Sequence, residues 1–391
     1  METQFGHLTY CTNIHAGETW PDHFRALQEN FPFIKARISP DQPMGIGLRL
    51  SNEASVQLIE AENLEAFKSW LRENNAYVFT MNGFPYGGFH RTRVKDNVHV
   101  PDWTTNERVA YTLRLFTILS QLIPEGMDGG ISTSPLSYRH WFHSEEASQK
   151  AKDLATNNVL QVVEHLIGIH AATGKLLHLD IEPEPDGMLQ TGEEFIHWFE
   201  NDLLPAGTKK INNAAELIKR HLCLCYDVCH FAIGYEPHPE VIDQLTQKGI
   251  QVGKIQISAA LKCQMKNDRK SIKDAFEKFN EPVYLHQVVA KKKDGELLRY
   301  PDLPEALEDY DNAAVTEWRA HFHVPIAVKE FGLLQSTQSD IVEVLKIQKQ
   351  QKFTRHLEVE TYTWEVLPGA LKLPLKDSII QELDWVKQDL L

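Results

Sequence analysis

Short apolar runs of strand length alternate along the chain with longer segments of helical period. The runs are LTYCTNIH (8–15), MGIGLRLS (44–51), AYVFTMN (76–82), GGISTSP (129–135), KLLHLDIE (175–182), LCLCYDV (222–228), GKIQISA (253–259) and HLEVETYTW (356–364), eight in all. Helix starts are marked between them by TTNE at 104–107, TGEE at 191–194 and Pro239, which opens PEVIDQLTQKG. A Thr followed three residues later by Glu offers reciprocal bonds to the free N–H groups of a first helical turn. Strands alternating with helices imply parallel pairing through right-handed crossovers, and eight such units predict an α/β fold, a (β/α)8 TIM barrel. A doubly wound open sheet is the rival. Against it, the first strand is followed by AGETWPDHF and not by a Gly-rich phosphate turn.

No linker, repeat or low-complexity tract marks a boundary, so residues 1–391 are expected to form one barrel domain. The interval of about 260–353 between strands seven and eight far exceeds an ordinary βα unit. It is expected to carry an inserted β-hairpin near KKKDG.

Alternate side chains of a strand point to opposite faces. In KLLHLDIE, Leu177, Leu179 and Ile181 share one face, and His178, Asp180 and Glu182 the other. LCLCYDV divides in the same way, with Cys223, Cys225 and Asp227 opposite Leu222, Leu224, Tyr226 and Val228. GKIQISA sets Lys254, Gln256 and Ser258 against Ile255 and Ile257, and HLEVETY sets His356, Glu358 and Glu360 against Leu357, Val359 and Thr361. The apolar faces would pack on the helices, leaving the polar faces to fill the barrel.

Composition narrows the function. A net charge of -14 argues against a nucleic-acid partner, since phosphate neutralisation needs clustered Lys and Arg, and only KKK at 291–293 is locally basic. The N-terminus lacks a basic stretch followed by an apolar one, and no segment approaches the roughly 18 apolar residues of a membrane span. Five cysteines suit reduced thiols better than a disulfide framework, so a cytoplasmic location is expected.

The inward parity aims Asp180, Glu182, Asp227, Glu358 and Glu360 into one barrel, mostly near the strand C-terminal ends, where such barrels place their sites. Several carboxylates sharing a dry pocket must either hold protons or surround a cation, and neighbouring histidines favour the cation. Carboxylate and imidazole ligands suit Mn, Zn, Mg or Co without choosing among them. In HLCLCYDVCHF, Cys223 and Cys225 read as small core side chains, and Asp227 with His230 as the ligand pair. Asn13 and His15 share the inward parity of the first strand and are candidate substrate contacts. Asn82 opens the Gly-rich NGFPYGGFH, which resembles a mobile lid. Arg139 or His140 could hold an anionic substrate group, and Trp20, Phe84 and Trp141 could form an apolar wall.

DVCH at 227–230 resembles the D-x-C-H metal motif of the endonuclease IV and xylose-isomerase-like barrel superfamily. That family's fifth and last strands end in metal-binding glutamates, positions matched by Glu182 in IEPEP and Glu360 in EVETYTW. More closely, LTYCTNIHAGETW (8–20), YLHQV (284–288), HFHVP (321–325) and HLEVETYTW (356–364) resemble the EboE family of metabolite traffic proteins, over nearly the whole chain. The resemblance implies a sugar-isomerase-like metal barrel, linked to export of a small metabolite and encoded beside a prenyltransferase-like membrane protein and a sugar-cyclase-like enzyme. The superfamily usually presents a metal-binding His from the seventh strand, where this chain has Gln256. Either Gln256 serves, or the imidazole comes from the long connection, with His286 preferred and His323 a candidate substrate contact.

These readings together predict a metal-dependent isomerase or epimerase of a small polyhydroxylated metabolite, a sugar, sugar phosphate or cyclitol. Glu182 and Glu360 would be its acid and base. The alternatives are a non-catalytic carrier or scaffold serving a membrane partner, and an endonuclease IV-like phosphodiesterase.

Overall fold

The alternation of apolar and polar positions becomes eight parallel strands: β1 Gly6–Tyr10, β2 Met44–Arg49, β3 Ala76–Asn82, β4 Gly129–Thr133, β5 Leu177–Ile181, β6 Leu222–Asp227, β7 Val252–Ile257 and β8 His356–Val359. They are seen in a computed structural model that describes residues 1–90, 94–266, 268–369 and 372–390. Each strand from β2 to β8 pairs in parallel with the next, and β8 pairs with β1. The ring closes between β1 and β2 mainly through a side chain. Thr9 Oγ1 donates to the Gly45 carbonyl at 2.8 Å and accepts from the Gly47 N–H at 3.1 Å, and a single bridge joins Cys11 to Gly47. The architecture is therefore the expected α/β barrel.

The outward residues Leu177, Leu179, Ile181, Leu222, Leu224, Ile255, Ile257, Leu357 and Val359 belong to one continuous apolar core beneath the helices. The inward side chains make a polar interior: His178 meets Asp180, and Lys254 meets Glu358 at 2.5 Å, both of the latter fully buried. Glycines make room for these groups. A Cβ on Gly47 would overlap the Glu358 carboxylate, and one on Gly253 the Asp180 carboxylate.

Helix caps follow the expected chemistry with one shift. Thr191 caps its helix by accepting from the Glu194 N–H at 3.1 Å. In TTNE the cap is Thr105, one residue later than expected, because Asp102 Oδ1 engages Thr104 through both its backbone N–H and its hydroxyl. Two strands are shorter than their apolar runs. β1 stops at Tyr10 and the chain turns through a 3-10 segment, Thr12–Ile14, while β8 stops at Val359 before another, Thr363–Glu365.

The connection from β7 to β8 holds the expected hairpin, Val288–Lys292 with Leu297–Tyr300, and considerably more. The hairpin is one edge of a six-stranded antiparallel sheet that continues through Val315–Ala320, Leu261–Gln264, Leu334–Ser336 and Glu330–Phe331. Leu261 and Trp318 of this sheet, with Phe322 and Val324 just beyond its strand Val315–Ala320, join the same core as the barrel. The strand Val315–Ala320 ends beside the barrel mouth and delivers His321 and His323 there.

Candidate metal centre

At the C-terminal ends of the strands, a small cavity is lined by Asn13, Asn82, Glu182, Glu184, His230, His321, His323 and Glu360, with Phe84, Phe89, Val98 and Tyr362 as its apolar wall. Asp227, the last residue of β6, lies just behind it. Its Oδ1 caps the following helix by accepting from the His230 N–H at 3.2 Å, and also accepts from the Ser258 hydroxyl at 2.6 Å. The D-x-C-H spacing thus places cap and imidazole on one turn, and leaves Oδ2 without a hydrogen-bond partner, 3.9 Å from His230 Nε2.

The three imidazoles are oriented alike. His230 Nδ1 lies 3.0 Å from the Pro183 carbonyl, His321 Nδ1 2.7 Å from Gln287 Oε1, and His323 Nδ1 3.1 Å from the Glu360 carbonyl. An acceptor at Nδ1 requires the proton there, so each neutral ring presents its Nε2 lone pair inward. Burial lowers the pKa of all three, His323 to about 4, which keeps them neutral. Yet His321 Nε2 stands 3.2 Å from His230 Nε2 and 3.4 Å from His323 Nε2. Three lone pairs at this separation repel one another unless a cation lies among them, and the spacing matches the roughly 3.4 Å between ligands of a tetrahedral ion with bonds of about 2.1 Å.

The carboxylates add the charge. Glu182 Oε2 and Glu184 Oε2 are buried without hydrogen-bond partners, as is Asp227 Oδ2. Burial, then Glu360 and Asp227, push the Glu182 pKa well up; burial and then Asp227 do the same to Glu184. Burial, with Asp227 and Glu358, raises Glu360 to about 8. Burial raises Asp227, but the bonds it accepts from the Ser258 hydroxyl and the His230 backbone N–H are among the causes that keep it below the usual carboxylate range. Among the described residues no Lys or Arg lines the cavity. The donor set, its orphaned oxygens and its negative balance fit a divalent cation held by Asp227, His230, His321 and His323, with Glu182 and Glu184 adjacent.

The residues singled out from sequence divide clearly. Glu182, His230, Glu360, Asn13, Asn82 and His323 line the cavity, with Asp227 at its back. Glu360 is placed by amides: Oε1 accepts from Asn13 Nδ2 at 2.7 Å and Asn82 Nδ2 at 2.8 Å, and Oε2 accepts from Gln256 Nε2. Gln256 therefore supports Glu360 from behind, its own Oε1 taken by the Cys225 thiol at 2.6 Å.

His286, preferred from sequence as the replacement ligand, is not brought to the cavity. Its Nδ1 meets the His321 carbonyl at 2.8 Å, its Nε2 meets Glu281 Oε1 at 2.7 Å, and its ring stacks on Phe322. The long connection supplies His321 and His323 in its place. His15 also lies elsewhere, 3.2 Å from the Tyr10 hydroxyl in a separate depression beside Trp364. The turn after Tyr10 breaks the period of two, so Asn13 and His15 no longer share a face. Arg139 is held by Glu194 at 2.7 Å and the Gly187 carbonyl at 2.8 Å, outside the cavity. Of the expected wall, Phe84 is present; Trp20 packs on Phe24 and Phe67, and Trp141 bonds Asp96. His321 and Glu184 were not anticipated, although two histidines spaced i, i+2 in HFHVP share a face on any extended segment.

No protein-family model matches the chain, and no curated protein does. Among solved structures it is similar to the IOLI protein with a binding zinc atom (13% identity, TM-score 0.48, covering 98% of this chain and 97% of that one). It is also similar to L-ribulose 3-epimerase (10% identity, TM-score 0.49, covering 98% and 94%). A third is a xylose isomerase-like TIM barrel protein from Mycobacterium smegmatis in complex with magnesium (11% identity, TM-score 0.48, covering 95% and 88%). At these scores the barrel assignment rests on the strand pairing described above.

Proposed function

We propose that the protein is a metal-dependent enzyme that isomerises or epimerises a small polyhydroxylated metabolite by moving a proton at a carbon next to a carbonyl. The observation that carries this reading is the convergence of three Nε2 lone pairs and an unpartnered Asp227 oxygen on a small cavity that also holds three buried glutamates, Glu182, Glu184 and Glu360. When bound, a divalent cation, of which Zn, Mn and Co suit the imidazole-rich set better than Mg, polarises a carbonyl oxygen and acidifies the neighbouring C–H.

The chain's own groups supply the rest. Glu360, fixed by Asn13, Asn82 and Gln256 and titrating at about 8, is poised to carry a proton near neutral pH. Glu182, raised by burial and by Glu360, is the second proton carrier from a different strand. Phe84, Phe89 and Tyr362 limit water at the reacting carbon. With no Lys or Arg among the described lining residues, an unphosphorylated sugar or cyclitol suits the cavity better than a sugar phosphate, and far better than a DNA backbone. The resemblance to the EboE family adds a setting to this proposal: a cytoplasmic step in the making or export of that metabolite, linked to a prenyltransferase-like membrane protein. Among the described residues no helix is long and apolar enough to cross a membrane.

Metal-loaded protein incubated with ketoses and cyclitols in D₂O should exchange a C–H proton, read by NMR. The Glu360→Gln variant should keep its metal and lose exchange by about 10²-fold or more. A protein that binds a polyol tightly and exchanges nothing would be a carrier, and the enzyme reading would fall.

A further inference from the structure

A second cluster of metal-ligating side chains lies at the opposite, N-terminal end of the barrel. His178 stands near the start of β5, His356 opens β8, and Asp128 immediately precedes β4. The parity that sends Glu182 to one mouth sends His178 toward the other, four residues back and about 13 Å down the strand. The Lys254–Glu358 ion pair lies between the two levels on β7 and β8.

The cluster has the parts of a metal site. His178 Nδ1 lies 2.5 Å from Asp180 Oδ1, the arrangement in which a carboxylate holds the ring's N–H and frees Nε2 as a donor to metal. That Nε2 faces Asp128 Oδ2 at 3.9 Å, and His356 Nε2 faces the same oxygen at 3.6 Å. Asp128 Oδ1 meets Arg355 at 3.1 Å, which turns Oδ2 toward the imidazoles. His356 is completely buried, and neither of its ring nitrogens has a hydrogen-bond partner. Separations of 3.6 and 3.9 Å are too long for hydrogen bonds, but are near the roughly 3.4 Å between ligands sharing a tetrahedral ion. Space is reserved for the group: a Cβ on Gly130 would overlap His178 and Asp180, and one on Gly253 would overlap Asp180. The donor atoms of Asp128, His178 and His356 lie within 4.8 Å of one another, and Cys223 is equally close to His178 and Asp180.

We propose that Asp128, His178 and His356 form a second divalent-cation site, of zinc type, which ties β5 and β8 to the residue before β4 at the N-terminal end of the barrel. Asp180 orients His178 and is not itself a ligand. The site owes nothing to the cavity at the other mouth.

Zinc alone is the probe. Full-length protein equilibrated with ZnCl₂ and desalted is assayed for zinc by mass spectrometry as wild type, Asp227→Ala, Asp128→Asn, His356→Gln and the Asp227→Ala/His356→Gln double variant. Asp128→Asn and His356→Gln should each lose about one zinc per chain, which Asp227→Ala retains and the double variant loses. Zinc content equal to wild type in both lower-site variants would overturn the proposal, leaving a protonated His178 between two aspartates. Should His356→Gln fail to fold, zinc-edge anomalous scattering from wild-type crystals decides. A peak bonded to His178 Nε2 and His356 supports the site, and its absence overturns it. Because Asp227→Ala touches only the upper cluster, failure of the upper metal would leave the lower zinc in place, and the reverse.

Discussion

A histidine is a ligand or a structural group according to what its second nitrogen meets. At His230, His321 and His323 an oxygen at Nδ1 spends the only proton of the neutral ring, while at His286 both nitrogens already have partners. His321→Gln should therefore weaken metal binding by about 10²-fold or more, and His286→Gln should keep wild-type stoichiometry. Competition against a chromophoric chelator measures both, and equal losses would contradict the assignment. The sequence located the strand-end acids because Glu182, Asp227 and Glu360 obey strand parity. It could not separate His286 from His321, since that depends on Glu281, Gln287 and the His321 carbonyl meeting particular ring nitrogens across the inserted sheet.

Among the elements, alternation read each barrel strand and its inward face, because one face must meet helices and the other must fill the barrel. It overran at β1 and β8; beyond Tyr10 the chain leaves the pleat and so brings Asn13 to Glu360. It also found only the hairpin of the insertion. The other strands of that sheet are two to six residues long, and apart from the tight pair Glu330–Phe331 with Leu334–Ser336 they join across wide stretches of sequence, so their local pattern is too short to register. The seam between β1 and β2 was equally hidden, because a threonine hydroxyl replaces much of the ladder. Thr9→Val keeps the shape and deletes the bonds to Gly45 and Gly47, leaving two buried backbone groups unsatisfied. Urea unfolding should show a loss of about 2 to 4 kcal/mol; a variant as stable as wild type would mean that the ring is closed by something else.

For the molecule as a whole, burial of titratable groups sets opposing trends across the acid range. His23, buried and beside Arg49, has its pKa lowered to about 3, and burial lowers His7 to about 4. Each is neutral when folded but takes a proton below about 6.5 when unfolded, so the stability it contributes is complete above that pH and drains away as the pH falls toward its folded value. Glu382 behaves oppositely. Burial raises it to about 7, so between roughly 7 and 4.5 the folded state binds the extra proton, and its charge penalty is relieved as the pH falls. These terms partly cancel in wild type, so a single stability curve isolates neither. Differences between variants do. The stability gap between wild type and His23→Gln should shift against wild type by up to about 1.4 kcal/mol per pH unit between 6.5 and 4.5. The gap between wild type and Glu382→Gln should shift toward wild type between pH 8 and 5. Both follow from urea unfolding of metal-free protein at each pH, and two gaps moving in the same direction would refute the view that burial sets these charges.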